Sequence, residues 1–239
     1  MDNVYYRMGK LVGPQLRKGK WLWQSLTGSE KDTIAAEHAV GRDLAAAFRR
    51  EMPADPDTQA CLLIEQTGTH LARFVANKLR RFEFSLVTAD DANAFALPGG
   101  FVFITRPLLD LLAHDRDETA FVLAHEMSHV IHEDANQRML GDAAITAAIR
   151  ASPSAGLASQ WLRSAAARML QAAYSQDREL AADNLGVRLS AAAGFDPGAA
   201  VRMLGRLEQA HRTAEQSTLA TYFSTHPPLD RRIAAVRRV

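Results

Sequence analysis

The sequence predicts an α+β fold, mainly helical, with one small antiparallel or mixed sheet beside a central helix. Three observations carry this. Apolar residues recur at helical spacing along most of the chain. Only between Phe82 and Thr105 does the period fall to two. The helix after that stretch carries His125-Glu126-Met127-Ser128-His129.

Taken in order, residues 1–29 form a basic segment in which Arg7, Lys10, Arg17, Lys18 and Lys20 precede Trp21 and Trp23. Such tryptophans either pack the segment onto the body or make peripheral contact with a membrane surface. Ser29 to Arg50 reads as a helix, with Asp32 completing a capping box on Ser29. After Pro53 and Pro56, Asp57 to Arg81 reads as a second helix, with Leu62, Leu63, Leu71, Phe74 and Val75 facing inward. Phe82, Phe84, Leu86 and Thr88 alternate with Glu83, Ser85 and Val87, which is the pattern of a strand. Residues 93–96 and 100–105 flank Pro98-Gly99-Gly100 and read as two paired strands around a turn.

Pro107 to Ala113 makes a short helix. Asp115 caps the next one, with Glu118 as its capping-box partner and Ala120, Leu123, Ala124, Met127 and Ile131 as its apolar face. Residues 134–175 are alanine-rich and read as a helical insert, interrupted at Ser152 to Gly156. Gln176 to Ala192 is a helix stopped by Gly194, and Asp196-Pro197 starts another that runs to about Arg212. A loop around Tyr222 to Pro228 leads into a short basic helix.

Composition narrows the function. A net charge of +1 creates no field that would gather nucleic acid. Cys61 is the single cysteine, so no intrachain disulfide forms and a thiolate metal site is not expected. Its apolar neighbours predict a buried position. There is no run of about twenty apolar residues to cross a membrane. Met1 to Lys20 lacks the apolar middle of a signal peptide. The sequence as given therefore reads as cytoplasmic, or as periplasmic or membrane-associated if it has been trimmed.

Residues four apart on a helix stand on one face, so His125 and His129 can reach one metal ion, with Glu126 beside them as a candidate base. A catalytic zinc takes three protein ligands. A third histidine six residues past His129 would define one solution, but that position is Ala135, and His132 stands where that pattern needs glycine. Glu179, in Glu179-Leu180-Ala181-Ala182-Asp183, is the better candidate. Asp183, one turn on, can accept a proton from the outer nitrogen of a ligand histidine and so fix its ring. The competing reading pairs Glu179 and Asp183 with Arg178, Arg188 or other surface cations. His132 reads as a solvated residue, and His38, His70, His114 and His211 as structural ones.

With these motifs in view, the chain resembles the HtpX and CAAX prenyl endopeptidase family of zinc metallopeptidases, in a branch without membrane helices. The resemblance rests on His125 to His129, Glu179 to Asp183, His226-Pro227-Pro228 followed by Arg232-Ile233, and Asn93 to Gly100. It covers about residues 85–239. It implies one zinc per chain in a gluzincin-like site and a metallopeptidase domain over 30–239. By the same resemblance, His226 lies near the metal and helps hold the oxyanion, with Arg232 on the same helix supporting the site. Asn93, Ala94, Phe95 and Ala96 would lie on the sheet edge that pairs with an extended protein or peptide substrate. Many relatives have a histidine where this chain has Asp134, a change that removes no ligand.

The function expected is zinc-dependent hydrolysis of extended or misfolded polypeptide in protein quality control, with Glu126 as the base. The alternatives are a latent protease and a metal-stabilised, chaperone-like binding protein. Prenyl-cysteine substrates are not expected, because relatives that cleave them enclose the site in membrane helices.

Overall fold

The computed structural model describes residues 29–132 and 175–212, together with 219, 222, 223, 226 and 229–239. The expected basic segment and helical insert lie almost wholly outside the described residues. Helix α1 spans Glu30–Glu51, α2 spans Thr58–Ala72, and strands β1, β2 and β3 span Glu83–Val87, Ala94–Leu97 and Phe101–Thr105. Then come α3 (Arg106–Leu111), α4 (Arg116–Ile131), α5 (Gln176–Ala192), α6 (Ala199–Arg212) and α7 (Leu229–Val236). The fold is α+β and mainly helical, with a mixed sheet in the order β1-β3-β2. No described helix is long and apolar enough to cross a membrane.

Ser29 caps α1 in a full capping box with Asp32, as the sequence predicts. The sheet turns at Gly99 and Gly100, both at positive φ. A Cβ on Gly100 would lie 1.9 Å from the Arg81 carbonyl oxygen, so only glycine fits there. That turn pairs β2 antiparallel to β3, with Leu97 opposite Phe101. Strand β1 joins the other side of β3 in parallel, which leaves β2 at the edge among the described residues. Phe95 and Phe103 stack at 5.1 Å, and Phe48 of α1 packs 5.2 Å from Phe95.

Four local expectations need correction. The second helix stops at Ala72 rather than Arg81. The ammonium of Lys78 donates to the carbonyls of Arg73 and Val75, satisfying groups that an unbroken helix would have bonded itself. Phe74 is consequently 44% exposed. In β1, Val87 is buried along with Leu86, because Ala54 bridges to it. Asp115 caps α4 by accepting from the amides of Asp117 and Glu118, but Glu118 does not return the bond. Its buried carboxylate instead meets Arg206 at 2.8 Å and Arg202 at 3.5 Å on α6. Finally, Cys61 is only half-buried, its thiol donating to the Asp55 carbonyl at 3.3 Å.

Helix α4 runs through the centre. Every residue from Glu118 to Val130 is buried, so the helix has no solvent face. Helices α2, α5 and α6 and strands β2 and β3 surround it. Such an all-round buried helix holds its side chains rigidly, and the candidate site sits on it.

Candidate metal centre

His125, Glu126 and His129 project from the buried middle of α4. Glu179 and Asp183 come from α5, one turn apart and both 0% exposed. What brings the two helices together is Gly186, another turn along the same face of α5. A Cβ there would lie 3.2 Å from the His125 backbone nitrogen and 3.3 Å from its Cα. The small residue lets α5 approach α4 closely enough for Glu179 to reach both imidazoles.

The donor atoms converge. His125 Nε2 and His129 Nε2 are 3.2 Å apart. Glu179 Oε2 lies 3.6 Å from His125 Nε2, and Glu179 Oε1 lies 3.4 Å from His129 Nε2. A tetrahedral ion with bonds of about 2.1 Å sets its donors about 3.4 Å apart. The spacing and the donor chemistry, two imidazoles and one carboxylate, therefore fit a divalent metal. His226 belongs to the same buried cluster, in which all four donors lie within 4.8 Å of one another.

His226 approaches from beyond α6. Its Nδ1 is 3.0 Å from Glu179 Oε1, and its Nε2 is 3.5 Å from Glu126 Oε1. It is not on a helix with Arg232, as the resemblance implied. His226 closes the turn begun at Tyr222, its amide donating to the Tyr222 carbonyl at 2.9 Å. Pro227 and Pro228 intervene before α7, and a proline disfavours helical geometry in the residue before it. Tyr222, which the sequence reading passed over, is buried with its ring 4.9 Å from that of His226. Gly186 was passed over as well. Its signal was present, since Glu179, Asp183 and Gly186 follow the i, i+4, i+7 spacing of one helical face.

Behind the ligands stands a charge network. Asp183 Oδ1 is 2.9 Å from His125 Nδ1, which sets that nitrogen as the protonated one and turns the Nε2 lone pair toward the other donors. Arg232, on α7 and 0% exposed, donates to both Asp183 oxygens at 2.8 Å. Its Nη1 lies 3.0 Å from Glu179 Oε2, as a charge contact rather than an aligned hydrogen bond. Burial alone would raise the Asp183 carboxyl, but Arg232 and His125 outweigh it and hold it at about 2. Burial would likewise raise Glu179, yet His226 and Arg232 keep it well below the carboxylate range. Burial, with Arg232 nearby, lowers His125, which favours the neutral ligand form. Burial also pushes the Tyr222 hydroxyl up.

Glu126 is the exception in this network. It is 1% exposed, and neither carboxylate oxygen has a hydrogen-bond donor among the described residues. A buried carboxylate without donors is costly. A polar hydrogen beside the metal donors would satisfy it, so the residues present fit a metal with an aqueous ligand.

The substrate-edge candidates lie at strand β2, which packs against α4. Ala94, Phe95 and Ala96 are in β2, and Asn93 just precedes it, its carbonyl accepting from the Thr105 amide at 2.9 Å. All four side chains are buried. Of the remaining histidines, His38 binds the Gly99 carbonyl at 3.0 Å and His70 the Ala193 carbonyl at 2.9 Å, while His132 is exposed at the end of α4.

A buried helix bearing two histidines and a glutamate, faced by a helix bearing a third donor, is an arrangement that could hold a metal ion. The chain belongs to peptidase family M48, whose match covers residues 61–239. It is 30% identical over 219 residues to the beta-barrel assembly-enhancing protease of Yersinia pestis, covering 86% of this chain and 44% of the relative. To the mitochondrial metalloendopeptidase OMA1 of Bos taurus it is 32% identical over 153 residues, 59% of this chain and 29% of the relative. A protease HtpX homolog of Salinibacter ruber is 30% identical over 187 residues, 64% of this chain and 66% of the relative. The chain thus spans less than half of the assembly-enhancing protease that it matches.

Proposed function

We propose that this protein is a zinc-dependent endopeptidase that cleaves extended or misfolded polypeptide as part of protein quality control. The observation that carries the proposal is Glu126, a buried carboxylate without donors set beside the His125, His129 and Glu179 cluster. A purely structural metal site has no use for it. Two imidazoles and a carboxylate suit zinc among the common divalent ions. The names of the relatives, which include proteases that enhance barrel assembly, support the quality-control role.

In this reading, His125, His129 and Glu179 hold one zinc per chain. Zinc, when bound, supplies Lewis acidity that activates water near neutral pH and polarises a carbonyl. Glu126 takes the proton from the attacking water and delivers it to the leaving amine. Asp183 keeps His125 in one tautomer, and Arg232 keeps Asp183 and Glu179 ionised and in place. His226 Nε2, on the Glu126 side of the site, donates to the developing oxyanion. Substrate adds as an antiparallel strand along Asn93 to Ala96.

A second reading, latency, is favoured by the membership of His226 in the donor cluster. If His226 takes the position that water needs, the resting enzyme is closed until the Tyr222–His226 turn moves. One experiment addresses both readings. Zinc content and casein cleavage are measured for the parent protein, Glu126→Gln and His226→Ala. Chelator-sensitive cleavage that disappears in Glu126→Gln while zinc stays near one per chain supports the enzyme. Cleavage that survives Glu126→Gln sinks the base assignment. Faster cleavage in His226→Ala favours latency, and slower cleavage favours the oxyanion role.

A further inference from the structure

We infer that the cavity beside the β2–β3 turn is a specificity pocket for an acidic side chain of the substrate, on the N-terminal side of the segment that pairs with β2. This rests on the endopeptidase reading above. The cavity measures 350 Å³, and its wall carries Lys31, Lys78, Arg80 and Arg81 together with His38. No carboxylate lines it among the described residues. In a chain of net charge +1, four cations on one recess are a local concentration. Arg80 is tied to the buried Glu37 at 3.3 Å. Lys31 and Arg81 are exposed, and the acid beside Lys31, Asp32, is engaged with Ser29 in the capping box. Their charge is therefore available to a ligand.

The floor is apolar and fixed. Ile34 and Val130 are buried, and Val130 directly follows the metal-ligand candidate His129 on α4. Gly99 forms the wall on the sheet side, and its position is set by two bonds: its amide donates to Glu37 at 2.9 Å, and its carbonyl meets His38 Nδ1 at 3.0 Å. A Cβ on Gly99 would come within 2.4 Å of the His38 Cα, so helix and turn are in direct contact. An apolar floor beneath a cationic rim suits a side chain with a methylene stem and a carboxylate end.

Topology supplies the register. An extended segment added antiparallel to β2 enters beside Leu97 and leaves beside Asn93. The turn at Pro98 to Gly100 therefore meets residues N-terminal to the paired ones. A recess of this size takes one or two side chains. A membrane would need a broad outward face instead.

The test uses the full chain and a set of fluorescent peptides in which one Glu, or one Gln, is moved through positions on both sides of a cleaved bond. Binding is measured first to Glu126→Gln, which does not consume the peptides, and kcat/KM is then measured with the parent protein. A Glu at one N-terminal-side position should be preferred over Gln by roughly fivefold to tenfold, as expected for two or three exposed ion pairs. The preference should weaken with salt. In Lys31→Glu/Arg81→Glu the Glu-to-Gln ratio should fall to about one or below, whereas Arg188→Glu/Arg237→Glu, with the same charge change elsewhere, should keep it. Lys31 is in the first turn of α1, where an acidic residue favours the helix, so that variant should fold.

The inference is overturned by equal binding of Glu and Gln peptides at every position, by a preference confined to the C-terminal side, or by one that survives the double reversal. It is also overturned if anionic vesicles, but not acidic peptides, bind in a Lys31- and Arg81-dependent way. Peptide preference in binding without any cleavage would retain the pocket and reject the endopeptidase reading. Cleavage without preference would do the reverse.

Discussion

Arg232→Met removes the cation that two buried carboxylates share. The guanidinium makes two 2.8 Å bonds to Asp183 and a 3.0 Å contact to Glu179, and all three residues are 0% exposed. Removing one partner of a buried ion pair costs about 3–5 kcal/mol, because the remaining charge is left uncompensated. Three contacts on one guanidinium place the expected loss at about 4 kcal/mol. For a chain of this length each kcal/mol shifts Tm by about 2–4 °C, so the metal-free protein should melt roughly 8–16 °C lower. A metal ion held by Glu179 would give it a further positive partner, so the loss should be smaller in the metal-loaded protein. Arg232→Lys keeps the charge but loses the two-pronged fork, and should fall between parent and Met. The assay is thermal melting at pH 7 with chelator and with zinc, plus a double-mutant cycle with Asp183→Asn. A loss below about 1 kcal/mol, or a coupling to Asp183 near zero, would refute the account of Arg232 as the charge partner.

Two further predictions follow from the same geometry. Gly186→Leu should push α5 off α4, costing about 1–3 kcal/mol and weakening zinc binding by at least tenfold in a chelator competition assay; a folded Leu variant with parental affinity would show that α5 does not position the ligands. Acidification should destabilise the metal-free protein. His125 is depressed in the folded state, so its contribution is lost as pH falls below about 6.5, where the unfolded chain binds the proton first. Asp183, held at about 2 against an ordinary 3.8, adds a loss of about 2 kcal/mol as pH falls through that window. Urea midpoints in chelator from pH 7 to pH 2 report both, and a midpoint that stays level or rises toward low pH contradicts them.

Much of the fold was legible because its determinants are local. The capping box at Ser29, the Pro98-Gly99-Gly100 turn and the drop to period two before α4 are all set by residues within a few positions of one another. The misreadings have two causes. Glu118 has the right spacing for a capping box, but two arginines eighty-odd residues away compete for its carboxylate and win. Helical periodicity continues past Ala72, but the Lys78 ammonium offers other bonds to the carbonyls. The first outcome is decided by distant residues, and the second by a side chain three and five residues on, whose bonds apolar periodicity does not register.

The candidate site divides along the same line. Sequence alone determined that His125 and His129 share a face of one helix and that Glu179, Asp183 and Gly186 share a face of another, since 3.6 residues per turn is a property of the backbone. Only the tertiary structure decided that these two faces meet, that His226 joins them from the turn begun at Tyr222, and that Arg232 reaches in from α7 to pair with Asp183 and Glu179. The physical reason is that helical phase is set by neighbours along the chain, whereas the charge state and position of a buried carboxylate are set by whatever other elements bring within 3–4 Å of it.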